Sequence, residues 1–243
     1  MNILVLAAAH ADLAMQDGGY PHCLTEFDGV PLIERLVENT RIFSNAKFIF
    51  ALRDESIARF HLDNVVSLLA PGAVVLRIGS STQGAACTAL LAAGHIDNDE
   101  ELLIVSANEL VDVDLESVIA QFKAAKQDAG TIVFHSIHPR YSYVKVNAEK
   151  LVTEAAQRNP ISTNATVGIF WYARGRDFVA AAKNMIRKDA SVDGLFYICP
   201  AFNELILNQA KIGVFAIGVK QYHPLKTERQ IYQYENLMEQ VSR

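Results

Sequence analysis

Strand-length runs that are apolar at nearly every position recur along this chain, and segments with helical spacing lie between them. Ile3-Leu4-Val5-Leu6 is the first, residues 47–52 the second, residues 101–106 a later one and residues 131–134 another. A strand with one wet face alternates apolar and polar side chains, so an unbroken apolar run predicts burial on both faces. Between the runs, residues 31–44 place Leu32, Ile33, Leu36, Val37 and Phe43 at helical spacing, Asp54 offers a cap for a helix over 55–62, and Asp114 offers one for a helix over 115–125. Residues 85–95 read as a helix of small side chains. Either residues 65–69 or residues 73–76 supply the next strand, with Pro71-Gly72 breaking the run. Strands alternating with helices predict a doubly wound, mainly parallel, Rossmann-like α/β sheet.

From about residue 135 the pattern changes. Residues 141–146 alternate polar and apolar as a half-exposed strand does, and residues 151–153, 166–172 and 211–217 are further strands. Residues 177–186, 200–209 and 228–241 read as helices. The expectation is one domain over 1–243 in two halves, 1–134 and 135–243, with a mixed sheet at 135–225 covering a ligand cleft.

The 243 residues are 51% hydrophobic and 20% charged, enough to bury a full core. A net charge of −5 argues against a nucleic-acid or membrane-surface partner. Cys23, Cys87 and Cys199 lie far apart, with no metal spacing and an odd count, and read as reduced thiols. Met1-Asn2 leads straight into a strand-like run, without the basic residues of a secretory signal, and no apolar run nears the ~20 residues that span a bilayer. A soluble, cytoplasmic protein is expected.

In a parallel sheet the loop leaving the first strand is the usual ligand site, and small residues there let the backbone approach a phosphate or a base. Here Leu6-Ala7-Ala8-Ala9 opens such a loop, followed by Gly19-Tyr20-Pro21 and Gly29-Val30-Pro31-Leu32-Ile33-Glu34. This stretch resembles the start of the sugar-phosphate nucleotidyltransferases, which join a nucleoside triphosphate to a sugar 1-phosphate. The likeness implies that 1–134 is a nucleotide-binding half and 135–243 a sugar-binding and closing half. The resemblance keeps the frame and loses working residues. The loop glycines fall on Ala9 and Ala11, the loop arginine on Leu13 and the lysine on His22. A second match, Thr82-Gln83-Gly84-Ala85-Ala86, implies an amide against the nucleotide base and a glycine leaving room for a flat ring. Read without the resemblance, it is a glycine starting a tightly packed helix with a surface glutamine.

The resemblance further implies Mg²⁺ on two aspartates. Their places fall on Asn108, six residues before Asp114, and on Pro224 in Tyr222-His223-Pro224-Leu225-Lys226-Thr227. An amide lacks the charge that makes a good Mg²⁺ ligand, and proline has no ligand atom. The metal set is therefore expected to be largely lost, with no cofactor as the alternative; Asn108 and Asp112 are the remaining candidate ligands. Glu109, next in a strand, should point away from Asn108. The pair that meets the sugar phosphate falls on Gln157-Arg158, with Ile161-Ser162, Gly168-Ile169-Phe170 and Phe196-Tyr197-Ile198 keeping the frame. His22 and Arg158 are the candidate catalytic substitutes, Ala8, Ala9, Gln83, Gly84 and Asn108 the nucleotide contacts, and Gly168 and Thr227 the sugar contacts.

Other residues carry two readings each. Asp112-Val113-Asp114 spells the Asp-x-Asp of metal-dependent glycosyltransferases, or a helix cap beside a solvated carboxylate. His10 is a phosphate contact or a solvent-facing loop residue. His135, His138 and His223 match no metal spacing. Phe170, Trp171 and Tyr172 are core or a sugar-stacking wall. The functions this leaves are three. One is a divergent sugar-phosphate nucleotidyltransferase of nucleotide-sugar or surface-polysaccharide metabolism. Another is a catalytically silent relative that binds nucleotide or sugar phosphate, or serves as a partner subunit. The third is a glycosyltransferase. Ile212 and Val214 on the late strand leave a homo-oligomer open.

Overall fold

The computed structural model describes residues 1–8, 21–41, 43, 45–79 and 82–241, with 239–241 as backbone alone. Ala9, His10, Ala11, Leu13, Gly19 and Tyr20 lie outside the described residues.

The chain begins with β1 (Asn2–Leu6), then a 3₁₀ turn at His22–Leu24, and a hairpin of β2 (Glu26–Phe27) and β3 (Val30–Pro31). The hairpin turn needs two left-handed residues, supplied by Asp28 at φ 52° and Gly29 at φ 74°. Helix α1 (Leu32–Thr40) buries Leu32, Ile33, Leu36 and Val37, the stripe its spacing predicts. There follow β4 (Lys47–Arg53), α2 (Asp54–Phe60), α3 (Leu62–Leu69), β5 (Val74–Ile78), α4 (Ala85–Leu90), α5 (Ala93–Ile96), β6 (Leu102–Ser106), β7 (Glu109–Val111) and α6 (Leu115–Ala124).

The second half contains β8 (Ala129–His135), β9 (Ser142–Val146), β10 (Val152–Gln157), β11 (Asn164–Tyr172), α7 (Gly175–Arg187), α8 (Phe202–Leu207), β12 (Ile212–Ile217), β13 (Tyr222–Pro224) and α9 (Glu228–Val241).

Strands β5, β4, β1 and β6 lie side by side and all parallel, with Leu4 between Ile49 and Ile104. Side chains alternate between two cores. Ile3, Val5, Leu103 and Val105 face one, and Leu4, Leu102 and Ile104 face the other. Burial on both faces is why these strands read as unbroken apolar runs. The C-terminal strands extend the same sheet. β11 runs antiparallel to β6, with Phe170 opposite Ile104; β8 lies antiparallel along the other edge of β11, and β12 parallel to β8. The β9–β10 hairpin joins the N-terminal part of β11 through Ala165 and Tyr143. The architecture is thus a mainly parallel α/β sheet with a mixed C-terminal portion, plus the small ribbons β2–β3 and β7–β13.

Some expectations are corrected. Residues 65–69 form the end of α3, and the strand after β4 is Val74–Ile78. Asp54 is not a cap but the first residue of α2, which stops at Phe60 because His61 turns left-handed at φ 51°. The small-residue helix is two short helices, α4 and α5. Strands β7 and β13 add pairing the sequence reading did not foresee. Ile212 is fully buried and Val214 half-buried on β12. Phe170, Trp171 and Tyr172 are core, with Trp171 stacked on Phe122 at 5.8 Å.

Candidate functional site

The chain leaves β1 between two parallel neighbours that run to opposite sides of it. The Ala7 N–H donates to the Ala51 carbonyl at 3.1 Å, and the Ala107 N–H to the Leu6 carbonyl at 3.1 Å. This divergence is the switch point at which open α/β sheets bind ligands. Ala8 is half-buried at its edge.

Asn108 sits in the turn from β6 to β7. Its side-chain oxygen accepts from the Ser106 hydroxyl at 2.6 Å, and its carbonyl accepts from the Leu225 N–H at 2.8 Å. Asn108 lies in the turn and Glu109 is the first residue of β7, so strand alternation does not set the direction of the Glu109 side chain. Its buried carboxylate accepts from the Gly168 N–H and the Tyr222 hydroxyl, each at 2.8 Å, and forms an ion pair with the Lys226 ammonium. Pro224 stands opposite Glu109 in the β7–β13 ribbon. The Tyr222 phenol is pushed far above its usual pKa by burial, then by the Glu109 charge, so it remains a donor. Gly168 belongs to this cluster because a Cβ there would lie 2.6 Å from Ser106 Cβ and 2.9 Å from Glu109 Oε1. The sequence reading named Asn108 and Gly168 but missed Glu109, Tyr222 and Lys226 as a unit. No local spacing announces it, because Tyr222 lies 113 residues from Glu109.

Gln83 and Gly84 are held by another segment. The Phe196 N–H donates to the Gln83 carbonyl at 2.8 Å, and the Ala86 N–H to the Phe196 carbonyl at 3.0 Å. Gly84 adopts φ 100°, and a Cβ on it would stand 2.4 Å from the Phe196 oxygen. The glycine is therefore required by backbone packing, while the Gln83 side chain is exposed. Arg158 lies near the same segment: its guanidinium pairs with Asp193 at 2.9 Å and stands 5.9 Å from the Tyr197 ring centre.

His22 is half-buried beside the start of α9. Burial lowers its pKa below the ordinary histidine value, with Glu228 opposing, so the imidazole is neutral at neutral pH. It supplies no standing charge in place of a lysine. Thr227 caps α9, its hydroxyl accepting from the Gln230 N–H at 3.3 Å. It also lines a hollow of about 500 Å³ with Arg140, His223, Arg229 and Tyr234.

The Asp-x-Asp residues are both engaged. Asp112 meets His223 Nε2 at 2.6 Å, and Asp114 caps α6 by accepting from the Glu116 N–H at 3.0 Å and the Ser117 hydroxyl at 2.6 Å. The His138 ring accepts from the Arg140 N–H at 3.2 Å, and His135 is exposed at the end of β8. Among the described residues no three His, Cys, Asp or Glu side chains converge as a metal site. The donor chemistry agrees. Asn108, Glu109 and Asp112 already meet a hydroxyl, an ammonium and an imidazole, and Pro224 offers nothing. These residues do not fit a divalent ion as they stand.

No protein-family model matches the sequence, and no curated protein matches it significantly. Solved structures do. The nucleoside-diphosphate-sugar pyrophosphorylase from Vibrio cholerae RC9 matches with a TM-score of 0.80 at 20% identity, over 96% of this chain and 99% of that one. A UDP-glucose pyrophosphorylase complexed with UDP-glucose matches at 0.79 and 11% identity, over 99% and 98%. The inositol-1-phosphate CTP transferase from T. maritima matches at 0.71 and 15% identity, over 99% and 95%. The fold is that of the sugar nucleotidyltransferases along essentially the whole chain. No helix of the described residues is long and apolar enough to cross a membrane.

Proposed function

We propose that this chain is a divergent sugar-phosphate nucleotidyltransferase-like protein that binds a nucleotide or nucleotide-sugar at the C-terminal ends of β1 and β6, in nucleotide-sugar or surface-polysaccharide metabolism. The observation that carries the reading is the switch point itself. Ala7 leaves β1 there beside Ala51, and Ala107 leaves β6 beside Leu6, next to Asn108 and the Gly168–Glu109 contact. Nucleotidyl transfer is largely positioning and neutralisation of phosphate charge. Positioning is supported by the paired strand ends, with Lys226 seated on Glu109 after β6 and Arg158 near the Phe196 segment that holds Gln83.

A second reading, binding without turnover, is favoured by the neutral His22 and by the Asn108 amide engaged with Ser106. One experiment separates the two. UTP, CTP, GTP, TTP and UDP-glucose are titrated by calorimetry, and pyrophosphate release is then assayed with a panel of sugar 1-phosphates. Binding with release supports transfer, and binding without release supports the silent relative. No binding by any of the five refutes both.

A further inference from the structure

The Glu109–Lys226 pair is unevenly placed. The carboxylate side chain is 6% exposed, whereas the lysine side chain is 44% exposed. The carboxylate accepts from the Gly168 N–H and the Tyr222 hydroxyl on one oxygen and meets the ammonium on the other. An ammonium has three N–H groups, and Glu109 is its one ionic partner among the described residues. Its chain position is fixed as well. Leu225, fully buried, donates its N–H to the Asn108 carbonyl, and the Lys226 N–H donates to the Gln230 side chain at 3.0 Å. A cation is thus anchored from below by a buried carboxylate, at the end of β6, with its outer face wet.

We infer that Lys226, seated on Glu109, is the built-in phosphate-binding cation of this cleft and stands where a divalent ion would otherwise be required. The inference rests on the nucleotide-binding reading above. The charge balance permits it. One carboxylate with one ammonium is as neutral as two carboxylates with a divalent ion, and both present positive charge outward. The ammonium's remaining N–H groups suit the oxygens of a phosphoryl group. A divalent ion on Glu109 Oε1 would compete with Lys226 for that oxygen and would lie against its positive charge. Binding of the anionic ligand is therefore expected to need no metal ion held by Glu109.

The test titrates UTP, CTP, GTP and TTP into the full chain by calorimetry, in EDTA and in Mg²⁺. Wild type binds its preferred triphosphate equally in both. Lys226→Met binds it about tenfold more weakly in EDTA, the loss of one charged hydrogen bond, and Lys226→Arg keeps most of the affinity. Binding that requires Mg²⁺ in wild type, or Lys226→Met binding as tightly as wild type, overturns the inference. A wild type that binds neither the four nor UDP-glucose refutes the nucleotide reading, and a second arm then decides the metal question. Free Mn²⁺ is followed by electron paramagnetic resonance with wild type and with the Asn108→Asp/Pro224→Asp/Lys226→Gly variant, its folding checked by circular dichroism. Depletion by the variant and not by wild type supports Lys226 in the place of a metal ion. Depletion by wild type, or equal signals from both, overturns it.

Discussion

The Phe196 carbonyl closes over Gly84 so tightly that a methyl group on residue 84 would stand 2.4 Å from its oxygen. Gly84→Ala must therefore push Phe196 away and hold a left-handed backbone with a Cβ, for about 2–4 kcal/mol. The expected fall in Tm is about 5–15 °C, read by calorimetry. An unchanged Tm would mean that the Phe196 segment yields freely, and that the glycine serves a ligand instead of the fold.

Gly168→Ala tests the cleft in the same way. Its Cβ would meet Ser106 and the Glu109 carboxylate, and would weaken the acceptance of the Gly168 N–H at 2.8 Å. The cost expected is about 1–3 kcal/mol. The urea midpoint reads it, and a shortened side chain at residue 109, Glu109→Asp, should recover part of the loss when combined. Additive losses would show that the two side chains do not share one space.

Glu204 is buried on α8, and both its oxygens meet Lys188 Nζ, at 3.0 and 2.8 Å. Lys188→Met leaves that carboxylate buried and unpaired, while Glu204→Gln leaves a half-exposed lysine that water can serve. The first should cost about 1–3 kcal/mol and the second less. Equal urea midpoints for the two variants would contradict the asymmetry.

Much of this fold was legible because its strands are buried twice over. Ile3 to Leu6 and Leu102 to Val105 have an apolar neighbour above and below, so each position had to be apolar. Residues 65–69 misled for a related reason. Val65-Val66-Ser67-Leu68-Leu69 has strand composition, yet Val66 packs inward while Leu68 is 82% exposed on α3, and local pattern does not register that. At the candidate site Asn108 and Gly168 were legible as candidates, and both stand against Ser106. The charged centre of the site was not legible, because Glu109 meets its partner Tyr222 across 113 residues. The pairing depends on β7 and β13, which are too short to announce themselves.

The His22 imidazole gives a pH dependence with a definite sign. Burial lowers its folded pKa below 6.5, so as the pH falls through about 6.5 the unfolded chain takes up the proton first. Stability contributed by the neutral ring is present above that value and declines below it. Urea midpoints measured from ~pH 7.5 to ~pH 5.5 should fall more steeply for wild type than for His22→Gln. Parallel slopes would show that the ring is as open to protons in the folded state as in the unfolded one.

At alkaline pH the cysteines set the opposite slope. Burial pushes the Cys23 and Cys199 thiols from 9.0 up to about 12. Between those values the unfolded chain has released protons that the folded chain still holds, so stability falls as the pH rises. The Cys23→Ala/Cys199→Ala variant should lose part of that decline in urea midpoints taken at ~pH 8 and ~pH 10.5. The same burial governs reactivity, since the thiolate is the nucleophile. A thiol reagent at neutral pH should reach the half-buried Cys87 slowly in the native protein, and Cys23 and Cys199 only on unfolding. Three thiols reacting together before the urea transition would place the two buried sulfurs outside the core. The fold described by Cys23 against α1 and Cys199 against β9 would then need redrawing.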